Sequence, residues 1–149
     1  MNHKGFTLIE ALVTLVVAGV IATIAFPTLV KAVSRQGAWN ARAAAISMYS
    51  RARSNALVTG RPTTLSWTSG VALITATPRI LTTGSGTMDT IGKAENYATL
   101  YGVSVTGSPS ASLTIDPRGL GNSASTTIFF TRNGFRDSVM VTGYGRVVK

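Results

Sequence analysis

The chain of 149 residues is long enough for one domain of ordinary size, and it contains no cysteine. The fold therefore does not depend on a disulfide, and cysteine-based zinc sites and thiol nucleophiles are excluded. An excess of 14 Lys and Arg over 5 Asp and Glu gives a formal net charge of +9, which attracts polyanions whatever their sequence.

The first predicted element is an apolar helix. From Phe6 to Val30 the only charged residue is Glu10, and about 20 predominantly apolar residues suffice to cross the hydrocarbon core of a membrane. A cleaved secretory signal has a shorter apolar region, of about 7–15 residues, and does not fit a run that continues to Pro27. A plain single-pass anchor explains the length but not Glu10, because a charge within a membrane costs at least about 2.5–3.5 kcal/mol and by default marks a function.

Cleavage between Gly5 and Phe6 would explain this acid. The new α-amino group of Phe6 would be a cation, and at 1.5 Å per residue it would lie about 6 Å from Glu10 along the same helix. In staggered neighbouring helices, the amine of one chain would meet the carboxylate of the next, and such an ion pair is favoured over two isolated charges. Glu10 would then set the register between packed helices, as a buried polar residue does in a coiled coil.

Beyond Pro27 the helical pattern continues to a stop signal at Gly60 and Pro62. Projection at 100° per residue gathers five alanines into one narrow stripe, which would let a sheet or another helix approach closely. The stripe consists of Ala38, Ala41, Ala45, Ala52 and Ala56, with Met48 at its edge, and the opposite side consists of Asn40, Ser47, Arg51, Ser54 and Asn55. We also predict a gentle break in the helix at Gly37.

Three arginines follow a second line of this helix, beside the stripe. They are Arg35, Arg42 and Arg53, and Trp39, Ile46 and Leu57 lie next to them. One interpretation is a boundary seam, in which arginine stems cover apolar surface while their charged ends reach water. The other is a basic stripe that faces a neighbouring subunit or a polyanion.

From Pro62 onward, short runs of alternating apolar and polar residues predict strands. The runs TTLSWT and GVALITAT meet around Ser69 and Gly70 in a predicted hairpin. Further strands are predicted at YATLYGVSV, ASLTID, STTIFFT and DSVMVTG, and the pair Asn133-Gly134 is typical of a hairpin turn. Residues 82–96 have no clear period and are predicted to form a long surface loop.

The segment KGFTLIEALVTLVVAGVIATIAFP resembles the class III signal and N-terminal helix of type IV pilins and type II secretion pseudopilins. The matching features are a short basic leader that ends at Gly5, followed by Phe6, Glu10 and Pro27 in an apolar span. The resemblance implies that a prepilin peptidase cleaves after Gly5 and N-methylates Phe6. It also implies a single-pass subunit that waits in the inner membrane and then assembles with other pilins or pseudopilins through its N-terminal helix.

The resemblance extends to the GspH/FimT group of pilin-like proteins. The group's junction between the helix and the first strand is similar to the segment SMYSRARSNALVTGRPTTLSW. A later strand and turn of the group is similar to IDPRGLGNSASTTIFFTRNGF, with Asp116 to Gly119 at the turn. The group contains minor pilins of type IV pili and minor pseudopilins of type II secretion systems, which lie at or near filament tips. Both functions fit this sequence, and a major pilus subunit fits it less well.

We therefore predict an α+β, pilin-like fold, in which a long N-terminal helix packs on a C-terminal antiparallel β-sheet. Residues 1–5 would form the leader, and residues 6–30 would form the transmembrane and assembly half of the helix. Residues 31–149 would form a periplasmic domain, with an amphipathic helix at about 31–59 and the sheet at about 62–149.

The sequence predicts neither an enzyme nor a cofactor. Outside the apolar span the acids are Asp89, Glu95, Asp116 and Asp137, and no two have a spacing that suggests acid–base catalysis. The only histidine, His3, would be removed with the leader. Major pseudopilins have a calcium site near the C-terminus, but this chain has only Asp137 there, so no metal site is expected.

The basic residues of the last third are candidates for binding double-stranded DNA. They are Arg132, Arg136, Arg146 and Lys149, together with Arg118. The tail GYGRVVK resembles the Gly-Arg-x-Arg tail through which DNA-uptake members of the group bind DNA. Gly145 and Arg146 match it, but Val148 replaces the second arginine, with Lys149 one position further on. The alternative is a basic surface that aids solubility or contacts acidic neighbours in a filament.

Overall fold

The structure, a computed structural model, describes residues 6–68, 70–76, 88–121 and 125–148. Two predicted site residues, Gly5 and Lys149, lie outside the described residues. The same holds for residues 82–87 of the loop predicted at residues 82–96. In the rest of that segment the loop prediction is wrong, because Asp89–Thr90 and Glu95–Asn96 form short strands that pair with Val71–Ala76.

The first element, α1, is one continuous helix, Leu8–Thr59. It begins after Thr7, whose hydroxyl accepts a hydrogen bond from the backbone N–H of Glu10 at 3.3 Å. It ends at Gly60, which adopts the left-handed conformation with φ 64° and donates its N–H to the carbonyl of Ala56. The stop signal predicted at Gly60 is thus confirmed, and Pro27 lies inside the helix.

The break predicted at Gly37 is wrong, because α1 continues through this residue. A Cβ atom at Gly37 would lie 2.5 Å from Nη1 of Arg132 and 2.7 Å from the carbonyl oxygen of Tyr101. The glycine therefore makes room for another part of the chain to reach the helix backbone, and it does not bend the helix.

The two halves of α1 differ in burial. Residues 6–33 are exposed, and this half makes α1 a helix long and apolar enough to cross a membrane by length and composition. From Ser34 onward one face is buried, and it contains Ser34, Gly37, Ala38, Ala41, Ala45, Met48, Tyr49, Ala52 and Ala56. The predicted alanine stripe is thus confirmed at all five positions.

The remaining described residues form nine strands and one short helix. They are β1 (Thr63–Thr68), β2 (Val71–Ala76), β3 (Asp89–Thr90), β4 (Glu95–Asn96), α2 (Tyr97–Tyr101), β5 (Ser104–Ser108), β6 (Ser112–Ile115), β7 (Thr126–Arg132), β8 (Phe135–Val141) and β9 (Val147–Val148). Within this part of the chain the strands make two antiparallel sheets, where one was predicted. The first has the order β3-β2-β1-β6, with β4 also pairing with β2, and the second has the order β5-β7-β8-β9.

Both predicted hairpins are present. Strands β1 and β2 pair from Thr63↔Ala76 to Thr68↔Val71. Strands β7 and β8 are joined by Asn133 and Gly134, whose φ angles of 46° and 79° are those of a type I′ turn.

The strand predicted at YATLYGVSV is only partly correct, because residues 97–101 form the helix α2. The side chain of Asn96 caps this helix by accepting a hydrogen bond from the backbone N–H of Thr99 at 3.1 Å, and Gly102 ends it with φ 65°. Local capping thus overrides the strand preference of the aromatic residues in this segment.

The hydrophobic core lies between α1 and the two sheets. Leu65 of the first sheet and Phe130 of the second are at most 2% exposed, and both belong to the cluster that contains the alanine stripe. The sheets meet where Trp67 of β1 lies against Gly107 of β5, since a side chain at Gly107 would overlap the indole ring. A void of about 10 Å³ in the core has room for little more than one water molecule.

We predict that Ala52→Leu destabilises the domain by about 1–3 kcal/mol, because three additional carbon atoms would have to fit where Ala52 is completely buried. The control is Ala43→Leu on the exposed side of the same helix, which should change the free energy of unfolding by less than about 0.5 kcal/mol. Urea unfolding of the full chain in detergent micelles, followed by the fluorescence of the buried Trp67, measures both. Equal effects of the two changes would contradict the packing described above.

Candidate functional site

The N-terminal candidate site lies in the first turn of α1. Phe6 is 73% exposed, and Glu10 is also exposed. An acid in the first turn stabilises a helix through the helix dipole. Among the residues that the structure describes, no cation pairs with the carboxylate of Glu10.

Three threonine hydroxyls of the exposed half are bonded within the helix. The hydroxyls of Thr14, Thr23 and Thr28 donate to the carbonyl oxygens of Ala11, Val20 and Ile24 at 2.8, 2.7 and 3.3 Å. Pro27 has no N–H, so one carbonyl of the preceding turn lacks its helical donor. Side-chain hydroxyls that bond to their own helix are compatible with a membrane, whereas a carboxylate is not. Glu10 is thus the one charged side chain of the apolar run from Phe6 to Val30.

Arg132 and Arg136 flank the turn between β7 and β8, at one end of the second sheet. Nη1 of Arg132 donates a hydrogen bond of 2.7 Å to the carbonyl oxygen of Tyr101, and its guanidinium lies over Gly37 and Gly102. The guanidinium of the exposed Arg136 lies 3.8 Å above the centroid of the Phe129 ring. Arg132 therefore holds the sheet against α1 and α2, whereas Arg136 remains accessible.

Arg146 lies at the opposite end of β8. Its neighbour Val147 pairs with Val141, the last residue of β8, whereas Arg132 pairs with Phe135, the first. At about 3.4 Å per residue the two ends are roughly 20 Å apart. The structure therefore does not bring the four predicted basic residues together, and Lys149 is outside the described part.

A groove adjoins Arg146, between the last turns of α1 and the loop before β9. Its lining comprises Tyr49, Ser50, Arg53, Ser54, Leu57, Gly145, Arg146 and Val147. Nη1 of Arg53 donates to the carbonyl oxygen of Gly145 at 3.4 Å. Burial raises the pKa of the Tyr49 hydroxyl, an effect that the positive charge of Arg53 partly offsets. We call this the distal groove. Its lining includes two cations, Arg53 and Arg146, that lie 93 positions apart in the sequence.

The turn that carries Arg118 closes one side of the distal groove. A Cβ atom at Gly119 would lie 3.1 Å from Nε of Arg53, and one at Gly145 would lie 2.8 Å from the carbonyl oxygen of Gly119. The turn is held by Asp116, whose carboxylate accepts hydrogen bonds from the backbone N–H groups of Arg118 and Leu120 at 2.9 Å each. The bond from Leu120, together with those from Arg118, lowers the pKa of Asp116. The residue that follows Arg118 thus lies against Arg53 and Gly145, a proximity that the sequence alone did not indicate.

The line of arginines on α1 faces β8, which agrees with the boundary seam. Nη1 of Arg42 lies 2.9 Å from both carboxylate oxygens of Asp137, and both side chains are mostly buried. The guanidinium of Arg35 lies 5.8 Å from the centroid of the Phe135 ring. Arg53 contacts the loop before β9, as described above. These arginines therefore attach the helix to the second sheet along its length.

The four acids outside the apolar span all have basic partners. Besides Arg42 and Asp137, the ion pairs are Arg51–Glu95 at 2.7 Å, Arg61–Asp89 at 3.7 Å and Arg118–Asp116 at 3.0 Å. Across the described residues, no group of three or more His, Cys, Asp and Glu side chains is close enough to hold a metal ion. The acids serve in ion pairs, and the excess positive charge remains on the other arginines and lysines.

Comparisons with known proteins identify the motif and the fold. Residues 1–26 match the family model described as the prokaryotic N-terminal methylation motif. The structure is similar to two crystal structures of the type IV minor pilin FimU of Pseudomonas aeruginosa strain PAO1. The first, in space group P21, gives a TM-score of 0.52 at 13% identity and covers 84% of this chain and 90% of that chain. The second, in space group P65, gives a TM-score of 0.50 at 14% identity and covers 79% of this chain and 90% of that chain.

A comparison with curated proteins found no significant match. The chain therefore combines the N-terminal methylation motif of prokaryotic pilins with a type IV pilin-like fold. The predicted fold class, one long helix followed by antiparallel β-structure, is confirmed.

Proposed function

We propose that this protein is a structural minor pilin, which assembles at or near the tip of a type IV filament and is not an enzyme. One observation carries the proposal: a single continuous helix joins an exposed apolar half, with Glu10 in its first turn, to a half that packs on a pilin-like domain. The N-terminal methylation motif supports the same function. The solved structures of similar fold are minor pilins, which favours a pilus over the alternative, a GspH-type minor pseudopilin of a type II secretion system.

In this proposal the chain passes through two environments. Prepilin peptidase removes residues 1–5 and methylates Phe6, while residues 6–30 cross the inner membrane once and residues 31–149 lie in the periplasm. The subunit then leaves the membrane, and its apolar half packs against the same half of other pilins. There the amine of Phe6 pairs with the carboxylate of a Glu10, and the exposed apolar side chains find protein partners.

We further propose that duplex DNA binds at the distal groove. Arg53 and Arg146 supply positive charge from two elements, Arg118 lies on the adjoining turn, and Lys149 follows in the sequence. Arg132 and Arg136, at the other end of β8, would contact DNA only if the duplex followed the whole strand. The distal groove is therefore the more compact arrangement for phosphate contacts.

The processing of the N-terminus is the first test. The mature protein should begin at Phe6 and carry one methyl group on its α-amino nitrogen, because the residues around Gly5 match the methylation motif. Mass spectrometry of protein isolated from filaments measures the intact mass and the N-terminal peptide. An intact Met1 in assembled filaments would contradict the proposed function.

The Glu10→Ala variant should enter the membrane as well as wild type or better, because it removes a charge from the apolar span. Its incorporation into filaments should fall, because the Phe6 amine then lacks its partner. Quantitative immunoblotting of membrane and filament fractions measures both effects. The control is Thr14→Val, which removes a hydroxyl that bonds only within its own helix. If Glu10→Ala assembles as well as this control, Glu10 does not set the register.

DNA binding should depend on salt and on the distal groove. Removing one cation that binds a phosphate of duplex DNA should lower the slope of log affinity against log salt concentration by about 0.9. The variant Arg146→Ala with Lys149→Ala should therefore bind more weakly and with a smaller slope than wild type. The measurement is titration of full-length protein in detergent micelles with labelled random-sequence DNA at several salt concentrations. Arg136→Ala, at the other end of β8, is the control and should keep the wild-type slope. Unchanged affinity and slope in the double variant would remove the tail from the mechanism.

A further inference from the structure

Three exposed basic residues lie at about the level at which α1 leaves its apolar run. Lys31 is the first charged residue after Glu10, and Arg35 follows one turn later. Arg136, from the far end of the sequence, lies next to the turn between β7 and β8. We call Lys31, Arg35 and Arg136 the membrane collar.

Contacts between the turn and α1 bring Arg136 to this level. The side-chain amide of Asn133 donates a hydrogen bond of 3.2 Å to the hydroxyl of Ser34, which is 2% exposed. The Phe135 ring lies under the guanidinium of Arg35. The tip of the β7–β8 hairpin therefore lies beside the helix turn that contains Ser34 and Arg35. The collar is thus built from two distant segments and depends on the folded domain.

The collar lies at the depth of lipid headgroups if the apolar run spans a bilayer. The run from Leu8 to Val30 contains 23 residues, which is about 35 Å of helix, and the hydrocarbon core is about 30 Å thick. Lys31 would then lie at the boundary of the core. Arg35 would lie about 6 Å further along the axis, within or just above the headgroup layer.

No acid neutralises the collar among the described residues. The nearest acid along the chain, Asp137, is bound to Arg42, and the other three acids outside the span pair with Arg51, Arg61 and Arg118. The collar also opposes the usual distribution of charge, because Lys and Arg are enriched on the cytoplasmic side of membrane helices. On the opposite side, anionic groups at the membrane surface would stabilise these cations.

We propose that the membrane collar binds the phosphate groups of anionic phospholipids in the outer leaflet while the subunit waits for assembly. This inference rests on the proposed function, which places residues 6–30 in the membrane. A cation near an anionic membrane surface strengthens binding by about fivefold. Three cations at one level of the subunit would gather anionic lipids there and fix the height of the domain above the bilayer.

Lipid preference around the helix is the quantity to measure. The chain has no cysteine, so Leu100→Cys gives a single labelling site, and residue 100 lies beside Val33 and Gln36 of α1. Full-length protein with a fluorescent donor at this site is placed in nanodiscs of mixed phosphatidylcholine and phosphatidylglycerol. Energy transfer to acyl-labelled phosphatidylglycerol is compared with transfer to acyl-labelled phosphatidylcholine.

Wild type should transfer more energy to the phosphatidylglycerol tracer, and added salt should reduce this excess. The excess should disappear in the variant Lys31→Gln, Arg35→Gln, Arg136→Gln. The matched control loses the same charge far from the collar, through Arg51→Gln, Arg118→Gln and Arg146→Gln. This control should keep the excess energy transfer to phosphatidylglycerol. An equal loss in both triple variants would overturn the proposal, because net charge alone would then explain the preference.

Further outcomes separate this inference from the proposed function. Protein that resists alkaline extraction from membranes but shows no lipid preference would overturn the collar alone. Protein that does not insert at all would overturn both the membrane anchor and the collar. Wild type without a lipid preference, combined with loss of DNA binding in the collar variant, would overturn the lipid proposal and assign the collar to DNA.

Discussion

The close approach of α1 to the two sheets is the contact on which the domain depends. Alanines on one face of the helix allow the sheets to lie against its backbone. The absence of a side chain at Gly37 likewise allows the side chain of Arg132 and the carbonyl oxygen of Tyr101 to reach that backbone. Each alanine methyl contributes little, about 0.8 kcal/mol for one buried carbon. Most of the apolar burial therefore comes from the larger side chains opposite, such as Phe130, Leu65 and Tyr97. The alanines of α1 and the large residues of the sheets and α2 belong to one continuous core.

The sequence identified the elements better than their arrangement. Periodicity is a local property, so the alanine stripe, the hairpin at Asn133-Gly134 and most strands were recognisable. The division into two sheets was not, because it depends on which distant strands pair, as when β6 joins β1 while β5 joins β7. Helix α2 was missed because the capping of five residues by Asn96 and Gly102 outweighed a strand-like composition. The distal groove was missed for a related reason, since Arg53, Gly119 and Gly145 come from three separate segments.

The fold sorts the basic residues into groups with different environments. Two arginines make contacts within the domain. Arg42 forms an ion pair with Asp137, and Arg132 donates a hydrogen bond to the carbonyl oxygen of Tyr101. Arg136 and Arg146 are exposed at opposite ends of β8. A chain with a large positive net charge thus presents two separate basic ends. One adjoins the apolar span, and the other lies about as far from it as the domain allows.

The continuity of α1 has a mechanical consequence for the proposed filament under tension. A pull on the apolar half passes along the helix axis into the domain without a hinge, because α1 is unbroken through Pro27 and Gly37. The contacts from Ala38 to Ala56 extend over about 27 Å of helix and are loaded parallel to the axis. Force in this direction acts on all of them at once, in shear, and does not peel them apart one after another. A domain attached in this way resists being drawn off its own helix.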